Sequence, residues 1–443
     1  MAGSHILRDN RDYRRYWLAK IISNFGTQLS MLAFPLLVLS LGEGPTRAAA
    51  IATCMLGTRF LLRMTGGNLA DRFDRRWLML SGDLIRMVAL GSIPLASWLG
   101  ALSYPQLLGV AFVESAATVL LFSPAAGIAV RDIVPKEHLR DAASRSNAAA
   151  SSAALAGPAL GGVLFEVNRI LPFGLDAASY LISAALLIGL AMKPPARTGA
   201  AADRGWAQGV RWLRGQPVLL RIVAAALVLN VAGTGLGVGI LLALQQGGAR
   251  SSTIGVIMTC MGVGGLGSSL IAPKLAPKLR TTVWFTLTGV VWTLGFLVLW
   301  LTLNPWVVAP VLMLLVGVTL FGNIGYSAAI IGNAPRHLLG RINGAIATAS
   351  GGLDCVAPLI AGVLIQRVGA PTTWLVFATL TIVATVTLIL PLVRVNSLIT
   401  KEAEEPSGEA ATEVTTGATT GITTSATTNT TALPRPVAKA AQP

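Results

Sequence analysis

Charge is what this chain has least of. Only 12% of its 443 residues are Asp, Glu, Lys or Arg, where a soluble globular domain carries about 25%. With 53% hydrophobic residues, the composition excludes an ordinary soluble domain and points to a chain that crosses a membrane many times. Cysteine is nearly absent. Cys54, Cys260 and Cys355 all fall inside apolar runs and read as small buried hydrophobes, with neither a disulfide framework nor a metal site. His5, His138 and His337 are scattered over polar stretches and offer no metal-ligand spacing. No Gly-rich loop ending in Lys-Ser/Thr occurs, so the signature of ATP binding is missing. The expectation is a membrane protein that is not an enzyme and uses neither metal nor cofactor.

What charge there is carries a strong bias, a net +15. The basic residues lie in short segments between apolar runs, which makes them a topology signal and argues against a nucleic-acid partner. A bilayer span needs about 20 predominantly apolar residues, and twelve runs qualify. They are 16–41, 48–67, 77–99, 105–128, 142–165, 171–192, 217–243, 252–273, 281–303, 306–331, 342–365 and 373–394. The connections on one side hold only Arg47, Arg169, Arg250 and Arg367, and most other Lys and Arg lie on the opposite side. The positive-inside rule then places both termini in the cytoplasm. The charged start (Arg8, Asp9, Arg11, Asp12, Arg14, Arg15) and the long run after it do not fit a cleaved signal peptide.

Four regions are expected. Residues 1–192 form a six-helix bundle, 193–216 a cytoplasmic linker, 217–394 a second six-helix bundle, and 395–443 a Thr-, Ala- and Glu-rich disordered tail. Within the linker, Trp206 to Leu213 reads as a short amphipathic helix on the membrane surface. The halves repeat. Val134-Pro135 through Leu164 realigns with Ala334-Pro335 through Leu364, pairing Pro158 with Pro358 and Gly162-Val163-Leu164 with Gly362-Val363-Leu364. The charged stretch Leu69 to Arg76 has a degenerate counterpart in Ile271 to Lys278, with Pro273 where Asp71 stands.

That charged stretch, Gly67 to Arg76, reads as a short loop at a bilayer face. Gly67 lets two helix ends approach, Asp71 is placed to accept hydrogen bonds or cap a helix, and Arg72, Arg75 and Arg76 anchor the loop inside. The pattern G-x-L-A-D-R-x-D-R-R resembles the loop between helices 2 and 3 of the major facilitator superfamily. Gly157-Pro158-Ala159-Leu160-Gly161-Gly162 resembles the antiporter motif of its drug exporters. Ser123-Pro124-Ala125, Asp132 to Leu139, Asn147 and Asp176-Ala177 together resemble the enterobactin-exporter and macrolide-efflux branch. The resemblance implies two six-helix bundles rocking about a midplane cavity in the cell (plasma or inner) membrane, with the 67–76 loop as an inner latch. It implies proton-coupled export of a moderately hydrophobic small molecule, an antibiotic, drug or siderophore, by a monomer. One departure stands out: many drug antiporters carry an Arg in helix 4, where this chain has Glu114. Rival readings are an importer on the same fold and a non-transporting receptor or scaffold.

Ionisable residues inside spans are costly and mark function. Glu114 and Asp354 are the candidate proton carriers, the alternative being ion pairs with Arg59, Arg63 or Arg86. Asp83 and Arg86, one turn apart, read as a structural pair. Asn24, Gln28, Asn230, Asn323 and Tyr326 read as cavity-lining residues.

Overall fold

Proline and glycine punctuate the helices. The computed structural model describes residues 10–190, 206–275, 281–335 and 338–404. Among them the order is α1 (Arg11–Ser40), α2 (Pro45–Arg72), α3 (Arg75–Trp98), α4 (Tyr104–Ala117), α5 (Ser123–Ile133), α6 (Leu139–Val167), α7 (Leu171–Leu187), α8 (Trp206–Arg214), α9 (Pro217–Gln246), α10 (Ser251–Leu275), α11 (Thr281–Leu301), α12 (Pro305–Asn333) and α13 (Leu339–Glu404). No strand occurs among the described residues. Proline opens α2, α9 and α12, where its missing N–H costs nothing. Asn10 and Asn304 cap α1 and α12 through side-chain oxygens that accept from the amides of Tyr13 and Trp306. Gly42, Gly100 and Gly248 take positive φ just past the ends of α1, α3 and α9, the left-handed step that stops a helix. Gly369 does the same inside α13, at φ 82°, and divides it into two helices.

Nine of the described helices are long and apolar enough to cross a membrane by length and composition, the stretch through Gly369 counting once. The packing is that of a protein in lipid. Leu61, Val88 and Leu270 are exposed, as are Trp98 at 83% and Trp306 at 88%, while Asp83, Arg86, Glu114 and Asp176 are buried. Apolar side chains face outward and the few charges face inward, the arrangement expected where the solvent is hydrocarbon. The Trp pair at helix ends suits the bilayer interface. Inside, the second half packs an aromatic cluster of Trp292, Phe296, Trp374 and Phe377, and the first half sets Phe34 edge-on against Phe173 at 5.0 Å.

Among the contacts that join the halves, two close crossings fall at positions related by the sequence repeat. A Cβ on Gly162 of α6 would lie 2.3 Å from the carbonyl oxygen of Ser251 on α10, and one on Gly255 would lie 2.3 Å from the Pro158 carbonyl. At the repeat-related position, a Cβ on Gly362 of α13 would sit 2.4 Å from Ala49 of α2. Helix backbones meet there because no side chain intervenes. Around these crossings the Thr46 amide donates to Gln366 at 3.0 Å, and the Ser252 amide donates to Glu166 at 3.2 Å. These contacts lie at the end of the bundle that carries Arg47, Arg169 and Arg250.

Several expectations change. The 67–76 stretch is not a loop: α2 continues through Arg72, and only Phe73 and Asp74 interrupt the helices. The helix cap is Asp74, whose side chain accepts from the Arg76 amide at 2.8 Å, and not Asp71. Helicity extends past the apolar run because a two-residue break suffices once Asp74 satisfies the next helix start. α7 ends at Leu187 rather than 192. The span from Tyr104 to Ile133 carries an internal π turn, Thr118–Phe122. Pro124 has no N–H to continue the ladder, and its ring crowds the carbonyl four residues back, which accounts for the widened turn. Residues 395–404 of the expected disordered tail instead continue α13 as helix; residues 405–443, 193–205 of the linker and 276–280 of the second loop copy lie outside the described residues.

Gly162→Val or Gly362→Val is expected to lower stability by about 1–3 kcal/mol through overpacking at a backbone contact. Gly237→Ala, with nothing within 4 Å of the added carbon, is the control and should not lower it, since Ala favours a helix interior over Gly. Thermal unfolding of the purified proteins in detergent tests this.

Candidate functional site

A cavity of about 790 Å³ opens between the halves. α6 contributes Ser151, Ala154 and Leu155; the rest of the wall comes from the second half, including Asn230, Thr234, Trp292, Asn323, Tyr326 and Ser350. Most of this surface is apolar or aromatic with a few polar groups, the usual composition of a small-molecule pocket. Asn230, Asn323 and Tyr326 therefore stand in the wall. The Tyr326 hydroxyl and Trp292 indole differ in how they are held. Trp292 donates to Thr319 at 3.0 Å, while the Tyr326 hydroxyl has no hydrogen-bond partner among the described residues. Asn24 and Gln28 lie outside the wall, on α1; Gln28 instead fills the space left by Gly157.

Asp354 sits just behind the wall. Asn230 donates to it at 3.1 Å, Thr234 at 3.3 Å and Ser350 at 3.4 Å, and Asn230 also contacts Ser350. All three partners line the cavity, so the carboxylate's hydrogen-bond shell is the cavity surface itself. No cation contacts Asp354 among the described residues.

Glu114 belongs to a separate polar core in the first half. Burying α4 against α2 and α3 brings its carboxylate to Arg59 at 3.4 Å, with Ser115 and Thr118 donating at 3.1 and 3.0 Å. Of the three arginines considered from sequence, the partner in contact is Arg59. Asp83 and Arg86 form an ion pair; Ser183 donates to Asp83 at 2.6 Å. The Arg86 guanidinium is flanked by the rings of Tyr180 and Phe122, 4.2 and 4.4 Å from their centroids, which favours a desolvated cation. Asp176, fully buried on α7, is hydrogen-bonded to the hydroxyls of Ser30 and Ser179. Sequence reading passed over it as part of a motif, although its place within an apolar span was the available signal.

The charged segment between α2 and α3 holds the first half together. Arg75 pairs with Asp132 at the end of α5, and Arg76 donates to the Ile188 carbonyl just past α7. Arg72 is exposed at the end of α2. Asp71 has neither a hydrogen bond nor an ion pair among the described residues. In the antiporter-like stretch, Gly157 and Gly161 receive Gln28 and Leu29 of α1, while Pro158 and Gly162 meet α10. One helix face serves the half and the other serves the interface.

Arg75→Ala is expected to cost roughly 3 kcal/mol, since it leaves Asp132 partly buried without its partner. The double exchange Arg75→Asp with Asp132→Arg should recover part of that loss in a thermal-unfolding measurement.

Comparison with known proteins agrees with this architecture. The chain is 26% identical over 412 residues to the multidrug efflux pump Tap of Mycobacterium tuberculosis, covering 88% of this chain and 96% of that one. It is 25% identical over 358 residues to the enterobactin exporter EntS of Shigella flexneri, covering 76% and 81%. The crystal structure of a bacterial homologue of the iron transporter ferroportin in an inward-facing state superposes with a TM-score of 0.68 at 16% identity, covering 87% and 99%. The family model of the Major Facilitator Superfamily matches residues 16–353. A multi-pass helical bundle with a cavity between its halves and that match define the chain as a member of the Major Facilitator Superfamily of membrane transporters.

Proposed function

We propose that the chain exports a moderately hydrophobic small molecule, a drug, antibiotic or siderophore, driven by the proton gradient across the cell membrane. The carrying observation is the cavity between the halves, mostly apolar and aromatic in its wall, with a carboxylate, Asp354, bonded to the side chains that form its surface. Likeness to a multidrug efflux pump and an enterobactin exporter supports the direction.

In this reading twelve helices span the bilayer. α2 and α7 join the nine, and α13 crosses twice by turning at Gly369. Residues 1–192 and 217–394 are the rocking bodies, both termini are cytoplasmic, and the unit is a monomer. The crossings at Gly162 and Gly362 then close the outer side, leaving the cavity to load from within. Protonation of an internal carboxylate biases which side opens. Asp354 ties that event to the substrate, and Glu114, paired with Arg59, to the geometry of the first half. The 67–76 segment latches the inner side in the opposite conformation, where Asp71, unmatched by its counterpart Pro273, supplies the asymmetric charge.

A deletion strain screened against a drug and siderophore panel should become more sensitive to at least one compound, and everted vesicles should accumulate that compound when a proton gradient is imposed. Gradient-driven movement in the opposite direction would show an importer; binding without movement would show a receptor. With the compound found, Glu114→Gln and Asp354→Asn should each reduce gradient-driven accumulation about tenfold, a barrier change of about 1.4 kcal/mol, while leaving gradient-independent exchange in place. Accumulation equal to the parent across the pH range would assign that residue a structural role. Asp71→Asn should weaken export at unchanged protein level; full activity would remove the latch.

A further inference from the structure

The interior of the first half holds three carboxylates, Asp83, Glu114 and Asp176, and two guanidiniums, Arg59 and Arg86, in mutual reach. The contacts divide unevenly. Arg86 pairs with Asp83 and Arg59 with Glu114. Asp176, with no exposed surface, contacts hydroxyls only. The charged groups facing it from neighbouring helices are Arg86 of α3 and Glu114 of α4, each with its own partner. From α1 it meets Ser30, and α7 adds Ser179 and Tyr180.

The hydroxyls around Asp176 accommodate an un-ionised acid. A serine hydroxyl has one proton to donate. The Ser30 oxygen lies 3.2 Å from the Thr27 carbonyl as well as against Asp176 Oδ2, and the Ser179 oxygen lies 2.7 Å from the Asp176 backbone carbonyl and 3.3 Å from Oδ1. Thr27 spends its proton on the Ser23 carbonyl at 2.8 Å, so the Tyr180 hydroxyl, 2.7 Å from Thr27, must be the donor there. Few donors remain for a carboxylate. With a proton on Oδ2, Asp176 donates to Ser30 and Ser30 is free to donate to the Thr27 carbonyl, so both of these contacts carry a hydrogen.

Asp176 is also joined mechanically to the interface between the halves. A Cβ on Gly26 of α1 would fall 2.4 Å from Asp176 Oδ1 and 2.2 Å from Ser179 Oγ, so the backbone of α1 is pressed against the acid. Next along α1, Gln28 and Leu29 seat on Gly157 and Gly161 of α6, whose Pro158 and Gly162 meet α10. An ionised carboxylate at that point would need donors or water that this packing leaves no room for.

We propose that Asp176 is a proton-binding site of this transporter, un-ionised in the conformation seen here, and that its ionisation moves α1 off α7 and loosens the α6–α10 crossing. The proposal rests on the proton-driven export reading for its physiological meaning, and the proton site itself is testable without transport. The full-length protein in lipid nanodiscs near neutral pH should show the infrared carbonyl-stretch band of an un-ionised carboxylic acid. Asp176→Asn should abolish that band, while Asp354→Asn and Glu114→Gln leave it. A band that survives Asp176→Asn, or no band in the parent, overturns the site. Ser30→Ala removes the acceptor of the acid's hydrogen bond and should shift the band to higher frequency, so the test stands even if Asp176→Asn fails to fold; an unmoved band overturns the assignment.

The coupling is read in everted vesicles with ethidium as the probe. Asp176→Asn should lose at least tenfold of gradient-driven accumulation and retain gradient-independent exchange. Parental gradient-driven accumulation in that variant overturns the coupling. A parent that shows the band and moves no ethidium counts against export of this probe and supports the proton site alone.

Discussion

Arg86 is the constraint on which the first half depends. A guanidinium cannot shed its proton in a protein, and it cannot be left alone among helices surrounded by hydrocarbon. The fold answers with Asp83 one turn away, with two aromatic rings against the planar faces, and with Thr118 at 3.5 Å. Those groups come from α3, α7 and the π turn that follows α4. Satisfying one cation therefore fixes the mutual packing of several helices, and the same packing buries Glu114 and Asp176. Hydrocarbon outside and charge inside are two views of one requirement: each polar group must find its partner within the bundle.

The two halves solve different problems with the same chain plan. Among the described residues, ion pairs are concentrated in the first half, where Arg75–Asp132 and Arg59–Glu114 knit neighbouring helices and Arg86–Asp83 closes within α3. The second half supplies most of the cavity wall, the aromatic cluster and a single carboxylate held by neutral donors. A body stapled by charge thus faces a more apolar one. The interface between the halves includes close approaches at Gly162, Gly255 and Gly362 and hydrogen bonds from the Thr46 and Ser252 amides to Gln366 and Glu166.

The antiporter-like stretch gains a physical meaning from this arrangement. Its residues alternate between the two sides of α6, Gly157 and Gly161 toward α1 and Pro158 and Gly162 toward α10. Small residues on both sides let α6 touch two partners at backbone distance, which makes it the natural carrier of motion from the interior of one half to the boundary with the other.

Sequence alone determined the class of the protein, because scarcity of charge, runs of spanning length and the bias of basic residues all follow from transfer energies that act on one residue at a time. It also determined the repeat, and with it the equivalence of Gly162 and Gly362 that both crossings display. It marked Glu114 and Asp354 by their cost in an apolar run. Tertiary structure decided what periodicity cannot encode. Asp74 rather than Asp71 caps α3, since capping depends on local backbone angles. Gln28 packs on Gly157 and leaves the cavity wall to Asn230, Asn323 and Tyr326, since a polar residue on a helix face has the same pattern whichever neighbour it meets. Above all, the choice of Arg59 as the partner of Glu114 is a property of distances between helices, and with Arg86 already paired to Asp83 within α3 it leaves Asp176 without a contacting cation among the described residues.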